Sequence, residues 1–311
     1  MRSIVITGAN SGIGYETAKL LIENGCQVFG SVRTAEQGAW LTRVFPRQFV
    51  PIIFDVRDEP AVIDAAKQIR RTLQGKTLAG LVNNAGTAIP GPLLHQSLDE
   101  FRVQLDTNLV GPFIVTKAFV PLLGADRALS GPPGRVINMS SIGGKLGSPY
   151  ATAYCASKHG LEGFSEALRR ELMPYGISVI IMAPGQVKTP IWEKAASKTV
   201  GRFDATPFGR SFSKGASIMI KTARNHGLEP RRVAETIWDA FTAKNPKMRY
   251  SPSQHPFLEQ GLARLLPRRL MDRVMDRRLG LSQRSATNID PSSSPSGVTP
   301  DRRRTRGAAG E

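Results

Sequence analysis

Cysteine is nearly absent. Cys26 and Cys155 are the two in 311 residues, and they stand in unlike contexts. That excludes a disulfide scaffold and fits a reducing compartment. Long apolar runs are missing too: none approaches the roughly 20 residues of a membrane-spanning helix. No secretory leader is expected, because Ser3-Ile4-Val5-Ile6-Thr7 already reads as a first strand. The four histidines, His95, His159, His226 and His255, have no metal-ligand spacing, so no metal is expected. Without a G-x-S-x-G elbow a serine hydrolase is disfavoured. Acid is scarce, with 25 Asp+Glu against 42 Lys+Arg and a net charge of +17. The imbalance is uneven: residues 1–200 carry 21 basic and 15 acidic side chains, and the remainder 21 and 10. Such a skew suits an anionic membrane surface, nucleic acid or a phosphorylated ligand, or is a solvated surface with no partner. After Leu279 there are no aromatics to stack on bases, so no specific nucleic-acid partner is expected.

What is present is alternation. Short Val- and Ile-rich runs at 3–7, 27–32, 50–54, 78–82, 135–139 and 177–182 scarcely change polarity from residue to residue. Strands covered on both faces read this way. Helix-period stretches lie between them at 12–24, 58–74, 99–123 and 152–174. The expectation is an α/β fold with a doubly wound parallel sheet and right-handed crossovers. Residues 190–228 show no clear period. A helix is expected at 230–243, then a short strand at 248–250. The main domain is placed at 1–255 and a basic amphipathic helical extension at 256–282, interrupted at Pro267. A Ser-, Pro- and Arg-rich tail at 283–311 has too little apolar surface to order itself.

Thr7-Gly8-Ala9-Asn10-Ser11-Gly12-Ile13-Gly14 joins the first strand to the first helix. Glycine there permits a tight left-handed turn and lets backbone approach a phosphate. The helix start supplies free N–H groups and the positive end of a dipole. A structural turn is the competing reading. The second strand ends at Val32 without the acid that would hold ribose hydroxyls, and Arg33 follows. A guanidinium suits a 2′-phosphate and a carboxylate repels one. NADP(H) is therefore the expected cofactor, with NAD(H) as second choice. Asp55 ends the third strand and would sit near an adenine.

Tyr154 and Lys158 are four apart in a helical pattern and share a face. A nearby ammonium favours a phenolate, so lysine can tune tyrosine as an acid or base. Ser140 and Ser141 close a buried strand just upstream. Taken in order, TGANSGIG at 7–14, Asp55-Val56, Asn83-Asn84-Ala85-Gly86, Asn108, Ser141, Tyr154-x-x-x-Lys158 and Ala183-Pro184-Gly185 with Thr189 resemble the short-chain dehydrogenase/reductase family over about residues 2–250. Weaker likeness points to its hydroxysteroid and retinol dehydrogenase branch. Family spacing selects Ser141 over Ser140.

The resemblance implies a Rossmann-type fold and an oxidoreductase acting on alcohol/carbonyl pairs. Tyr154 would be the general acid/base, Ser141 would polarise the carbonyl, and Lys158 would hold the cofactor ribose and tune Tyr154. Asn108 would bend its helix and hold a proton-relay water. Gly8, Ser11, Gly12, Ile13, Gly14, Arg33, Asp55, Val56, Asn83, Ala85, Gly86, Tyr154, Lys158, Pro184, Gly185, Val187 and Thr189 would contact the cofactor. A homodimer or homotetramer is implied, packing through 99–123 and 152–174. Phe203, Phe208, Phe212, Ile218 and Met219 make the expected substrate loop apolar, which suits a steroid-, retinoid- or lipid-like substrate; the same aromatics could instead anchor the loop. The arginines and apolar residues of 257–279 suit an anionic membrane surface, with ordinary packing on the fold as the alternative. A cytoplasmic protein, in part peripheral to a membrane, is expected. A catalytically quiet NADP(H)-binding sensor on the same fold is the competing function.

Overall fold

Strands without polar alternation need cover on both faces, and they have it. The computed structural model describes residues 1–197, 199–254 and 267–281. One parallel sheet runs in the order β3-β2-β1-β4-β5-β6-β7. Its strands are β1 (Ser3–Ile6), β2 (Gln27–Val32), β3 (Phe49–Ile53), β4 (Gly80–Asn83), β5 (Arg135–Met139), β6 (Ser178–Met182) and β7 (Arg249–Tyr250). The order of strand addition reverses between β1 and β4, and that switch point opens a crevice at the carboxyl ends of the strands.

On one face lie α1 (Gly12–Glu23), α2 (Ala35–Val44) and α9 (Pro230–Thr242). Leu21, Leu41, Val233, Ile237 and Phe241 pack there on Ile4, Ile6 and Val28. The other face is covered by α3 (Glu59–Leu73), α4 (Leu98–Leu105), α5 (Gly111–Phe119) and α6 (Thr152–Glu171). Its core includes Val62, Ile69, Val115 and Phe119 against Val5, Leu81 and Val136. The sheet is thus sealed, and polar chemistry is confined to the strand ends.

Three stretches differ from the sequence reading. Residues 35–44 form α2, whose polar sequence leaves Gly38 and Leu41 as its buried residues, so it shows almost no period. Residues 190–228 contain α7 (Pro190–Ser197) and α8 (Gly209–His226). The Gly- and Ser-rich α8 has weak intrinsic propensity, and packing of Phe212 and Ala223 holds it. The long helix expected at 99–123 is broken: Asp106–Val110 forms a wider π-type turn between α4 and α5, and Val120–Leu123 a 3₁₀ turn. After Pro267, which stands at its N-cap, comes α10 (Arg268–Leu279). It packs on α8, where Leu279 lies against Gly215. Residues 256–266 and 282 of the expected extension, and the tail at 283–311, fall outside the described residues.

Asn83 is positioned by the sheet in a way that its expected role did not anticipate. It is buried at the end of β4, and its amide donates to Thr116 Oγ1 at 2.9 Å and Asn138 Oδ1 at 2.8 Å. Asn138 in turn donates to Ser165 Oγ at 2.8 Å. This chain of side chains ties β4, β5, α5 and α6 together and turns Asn83 away from the crevice. Asn83→Ala should therefore lower unfolding stability by about 1–3 kcal/mol in a urea titration, the cost of a broken buried hydrogen bond. Its dissociation constant for NADPH should stay within about two-fold, an outcome that separates a structural asparagine from a cofactor ligand.

Candidate active site

A cleft of about 540 Å³ occupies the crevice. At its centre, the turn after β1 is wired from below. Thr7 Oγ1 accepts from the amides of Asn84 (2.9 Å) and Ala85 (3.0 Å). Asn84 Nδ2 donates back to the carbonyls of Thr7 (2.9 Å) and Gly8 (3.1 Å), and the Gly8 amide donates to Ser31 Oγ at 3.0 Å. Gly8 and Gly12 have φ of +67° and +55°, a region that other residues enter at a cost. Ser11 caps α1 with an extended backbone and makes no side-chain cap bond. The first amides of α1 and the Ser11 hydroxyl are thus left for an anion. Gly14 does a different job. A Cβ there would lie 2.2 Å from the Gly8 carbonyl oxygen and 2.4 Å from Asn84 Nδ2, so its bareness lets α1 close on the turn.

Most residues expected at the cofactor do line this cleft: Gly8, Ser11, Gly12, Ile13, Arg33, Asp55, Val56, Ala85, Gly86, Tyr154, Lys158, Pro184, Gly185, Val187 and Thr189. Gly14, Asn83 and Asn108 stand behind it. At one end, Arg33 is exposed, while Arg57 grips Asp55 through Nε–Oδ1 (2.9 Å) and Nη2–Oδ2 (2.8 Å). That grip holds the Asp55 carboxyl below its ordinary pKa, with Arg33 adding to the effect. Two guanidiniums and one carboxylate give this end a net positive charge. Together with the bare glycine turn and the uncapped helix start, it fits an elongated phosphorylated dinucleotide.

At the other end, α6 presents Tyr154 and Lys158 one turn apart. Lys158 Nζ donates to the Met139 carbonyl at 2.7 Å and lies 5.8 Å from the centre of the Tyr154 ring. Burial pulls the Lys158 ammonium down to about 8. Burial pushes the Tyr154 phenol up to about 12, with the neighbouring Ser141 hydroxyl working the other way. Ser141 itself caps the turn Ile142–Gly144, its Oγ accepting from the Gly143 amide at 3.1 Å. Asn108 sits in the π-type turn, fully buried. Its Oδ1 accepts from the Thr87 amide at 2.8 Å, and its Nδ2 donates to the Thr87 carbonyl at 2.9 Å and to Ser157 Oγ at 3.0 Å. The hydrogen-bonding pattern widens to a π-type turn at Asn108, and its side chain pins Thr87, in a segment that lines the cleft.

The aromatics of 203–212 do not line the cleft. Phe203 and Phe212 are buried, with ring centres 4.8 Å apart, and Phe212 meets Tyr150 at 5.5 Å. They anchor the loop, the bland alternative of the sequence reading. The apolar side chains Ile89, Val103, Ile191, Trp192 and Ala195 line the cleft instead. The Trp192 indole stands edge-on to the Tyr154 ring at 5.6 Å. Neither Trp192 nor Arg57 was singled out from the sequence. Both neighbour motif residues, and nothing in their own spacing marks them. Among the described residues there is no cluster of ligands that could hold a metal.

Comparison with known proteins agrees with this geometry. Residues 2–199 match the family model for short chain dehydrogenase. The chain is 36% identical over 274 residues to an NADPH-dependent 3-dehydrocapnine reductase of Ornithobacterium rhinotracheale, covering 88% of this chain and 96% of the relative. It is 35% identical over 283 residues to human retinol dehydrogenase 5, covering 88% and 87%. A crystal structure of a short-chain dehydrogenase from Streptomyces avermitilis superposes with a TM-score of 0.69 at 24% identity, over 90% of this chain and 98% of that one, which supports the fold.

The buried lysine leaves a mark on stability that needs no substrate to read. Between about pH 8 and its ordinary 10.5, Lys158 binds a proton in the unfolded chain but not in the folded one. The unfolded state then holds more protons, so this group makes stability rise with pH across that window. Lys158→Met removes the effect. The stability of the wild type relative to Lys158→Met should therefore increase by about 3 kcal/mol from pH 7 to pH 10.5 in denaturant titrations. A difference that is constant with pH would mean that Lys158 keeps an ordinary ammonium in the folded site.

Proposed function

The chain belongs to the short-chain dehydrogenase family, and we propose that within it the protein interconverts a lipophilic alcohol and its carbonyl with NADP(H) as cofactor. The observation that carries this reading is that Ser141, Tyr154 and Lys158 line one cleft together with the apolar side chains Ile89, Val103, Ile191 and Trp192. All three polar residues are present in the one cleft, which favours an enzyme over a quiet sensor. NADPH, when bound, supplies a hydride. The protein supplies position and a proton.

In the reducing direction the Tyr154 phenol donates its proton to the carbonyl oxygen, and Ser141 hydrogen-bonds the same oxygen and polarises it. The Lys158 ammonium stabilises the phenolate left behind and would hold ribose hydroxyls of the cofactor. Asn108 keeps the π-type turn and the 85–88 wall in place, and we assign it the relay that returns a proton to Tyr154. Arg33, with no acid at Val32, supports selection of a 2′-phosphate, in line with the NADPH named for the 3-dehydrocapnine reductase. An apolar wall and a relative named for retinol support a hydrophobic substrate.

Two assemblies belong to the same reading. Val110 and Phe113 are exposed on the α4–α5 side, and the Phe113 ring meets Phe164 of α6 edge-on at 6.4 Å. This apolar face supports a homodimer, or a homotetramer built from it. No helix among the described residues is long and apolar enough to cross a membrane. On α10, Leu270 and Val274 are exposed beside Arg269, Arg273 and Arg277, a pattern that suits peripheral contact with anionic lipid.

A panel of hydrophobic alcohols and ketones, read by nicotinamide absorbance with both cofactors, tests the activity. Tyr154→Phe should lower turnover by about 10² to 10⁴ and leave the NADPH dissociation constant near wild type. Retention of more than half the turnover would remove Tyr154 from the acid/base role. Arg33→Asp should flatten or reverse the preference for NADP(H); equal affinities for the two cofactors in the wild type would refute the assignment of Arg33. Sedimentation should show a dimer or tetramer that Phe113→Asp dissociates. Flotation with anionic vesicles should weaken with salt and with Leu270→Asp; a protein that stays a monomer, or never floats, overturns the corresponding assembly.

A further inference from the structure

Glu162 is a buried carboxylate to which the chemistry above gives no task. It lies on α6 one turn beyond Lys158 and two beyond Tyr154, is 2% exposed, and does not line the cleft. Three groups converge on it. Ser140 Oγ donates to Oε1 at 2.8 Å, Lys145 Nζ is 3.1 Å from Oε2, and the Arg249 guanidinium of β7 pairs with Oε1. Even with such partners, a buried carboxylate rarely outdoes a hydrophobic residue of the same size, so its presence asks for a requirement. What it touches indicates the requirement. Ser140 immediately precedes Ser141, and Lys145 immediately follows the turn Ile142–Gly144 that Ser141 caps. Gly144 is pressed against the same carboxylate: a Cβ there would lie 2.7 Å from Glu162 Oε1 and 2.5 Å from Ser140 Oγ. Glu162 therefore grips the Ser141 turn at both ends from the helix that carries Tyr154.

We infer that Glu162 is a positioning residue: with Lys145, Arg249 and Ser140 it fixes the Ser141 turn against α6, so that Ser141 and Tyr154 address one substrate oxygen. Backbone bonds alone hold the turn incompletely. The Ser140 amide is tied to the Met182 carbonyl at 2.7 Å and the Ile142 amide to the Pro184 carbonyl at 3.1 Å. Both anchor it to the β6 side, and neither sets its distance from α6. Glu162 supplies that coordinate. Misplacement of a reacting group by about 1 Å is enough to cost on the order of 10²-fold in rate.

The inference rests on the catalytic reading of Ser141 and Tyr154, and its test has one arm that needs no turnover. In the first arm, amide hydrogen exchange is followed at Gly143 and Gly144, whose N–H groups bond to Ser141 Oγ and the Ser141 carbonyl. Glu162→Gln should speed exchange at these two amides by at least about ten-fold and leave the amides of α1 and β4 unchanged. Uniform acceleration, or none, overturns the proposal. In the second arm, retinaldehyde is the probe, with NADPH and NADPH deuterated at the transferred position. Glu162→Gln should lower kcat by about 10- to 100-fold, raise the isotope effect on kcat, and leave the NADPH dissociation constant within about two-fold. A variant that merely folds poorly would lose kcat without moving the isotope effect. Gly144→Ala, which breaks the same contact without touching the charge, should reproduce the phenotype. In a Ser141→Ala background, Glu162→Gln should cost nothing more, because the two act through one position. Wild-type kcat in Glu162→Gln, or full additivity with Ser141→Ala, sinks the proposal. A wild type inert toward retinaldehyde counts against the substrate reading, and the exchange arm still decides Glu162.

Discussion

A lysine ammonium and a half-buried phenol are held together at the wall of one cleft, and the rest of this structure is arranged around that constraint. Burial disfavours both charged forms. It draws Lys158 down to about 8 and drives Tyr154 up to about 12. In the free protein the pair is thus poised as ammonium and phenol at neutral pH, the states needed to give a proton to a carbonyl. The reverse reaction needs the phenolate, and a cation brought alongside it favours that form. The four-residue spacing on α6 keeps the two groups together, and the Met139 carbonyl at the end of β5 holds the ammonium in place at 2.7 Å.

The parallel sheet sets where that pair can lie. Because helices seal both faces, the open polar ground lies at the strand ends, where backbone amides and carbonyls lack partners. The Thr7–Asn84–Gly8–Ser31 wiring consumes many of them and shapes the remainder into an anion seat at the start of α1. Cofactor seat and catalytic pair then share one continuous cleft, with Asn108 and Thr87 bracing its middle. A change at Gly14, which never faces the cleft, would still open the seat by pushing α1 away from the turn.

Much of this was legible in the sequence, for a physical reason. Doubly covered strands cannot alternate in polarity, so their Val- and Ile-rich runs stand out, and their ends were placed within about two residues. The glycine turn, Ser141, Tyr154 and Lys158 were legible because each demands a residue type that few others replace. What escaped depends on tertiary context. Helix α2 hides its small buried face among polar residues, and α8 is held by packing against its own poor propensity. Asn83 belongs to a recognisable motif, yet its amide serves the sheet, a distinction that only its partners Thr116 and Asn138 reveal. The phenylalanines of 203–212 looked like a substrate wall, but aromatics pack on one another as readily as on a ligand. Nothing in the spacing of Glu162 marks it, because its partners Lys145 and Arg249 reach it only through the fold.

The central claim is that burial sets the protonation of the Tyr154–Lys158 pair and that a bound nicotinamide cation resets it. Carbon-13 NMR of protein labelled at the tyrosine Cζ, with Tyr154→Phe for assignment, measures this directly. Without cofactor the Tyr154 signal should remain that of a neutral phenol past the ordinary value of 10.0, toward about 12. With NADP⁺ its midpoint should fall by at least about two pH units. A free-protein midpoint at or below 10.0, or one unmoved by NADP⁺, would contradict the account.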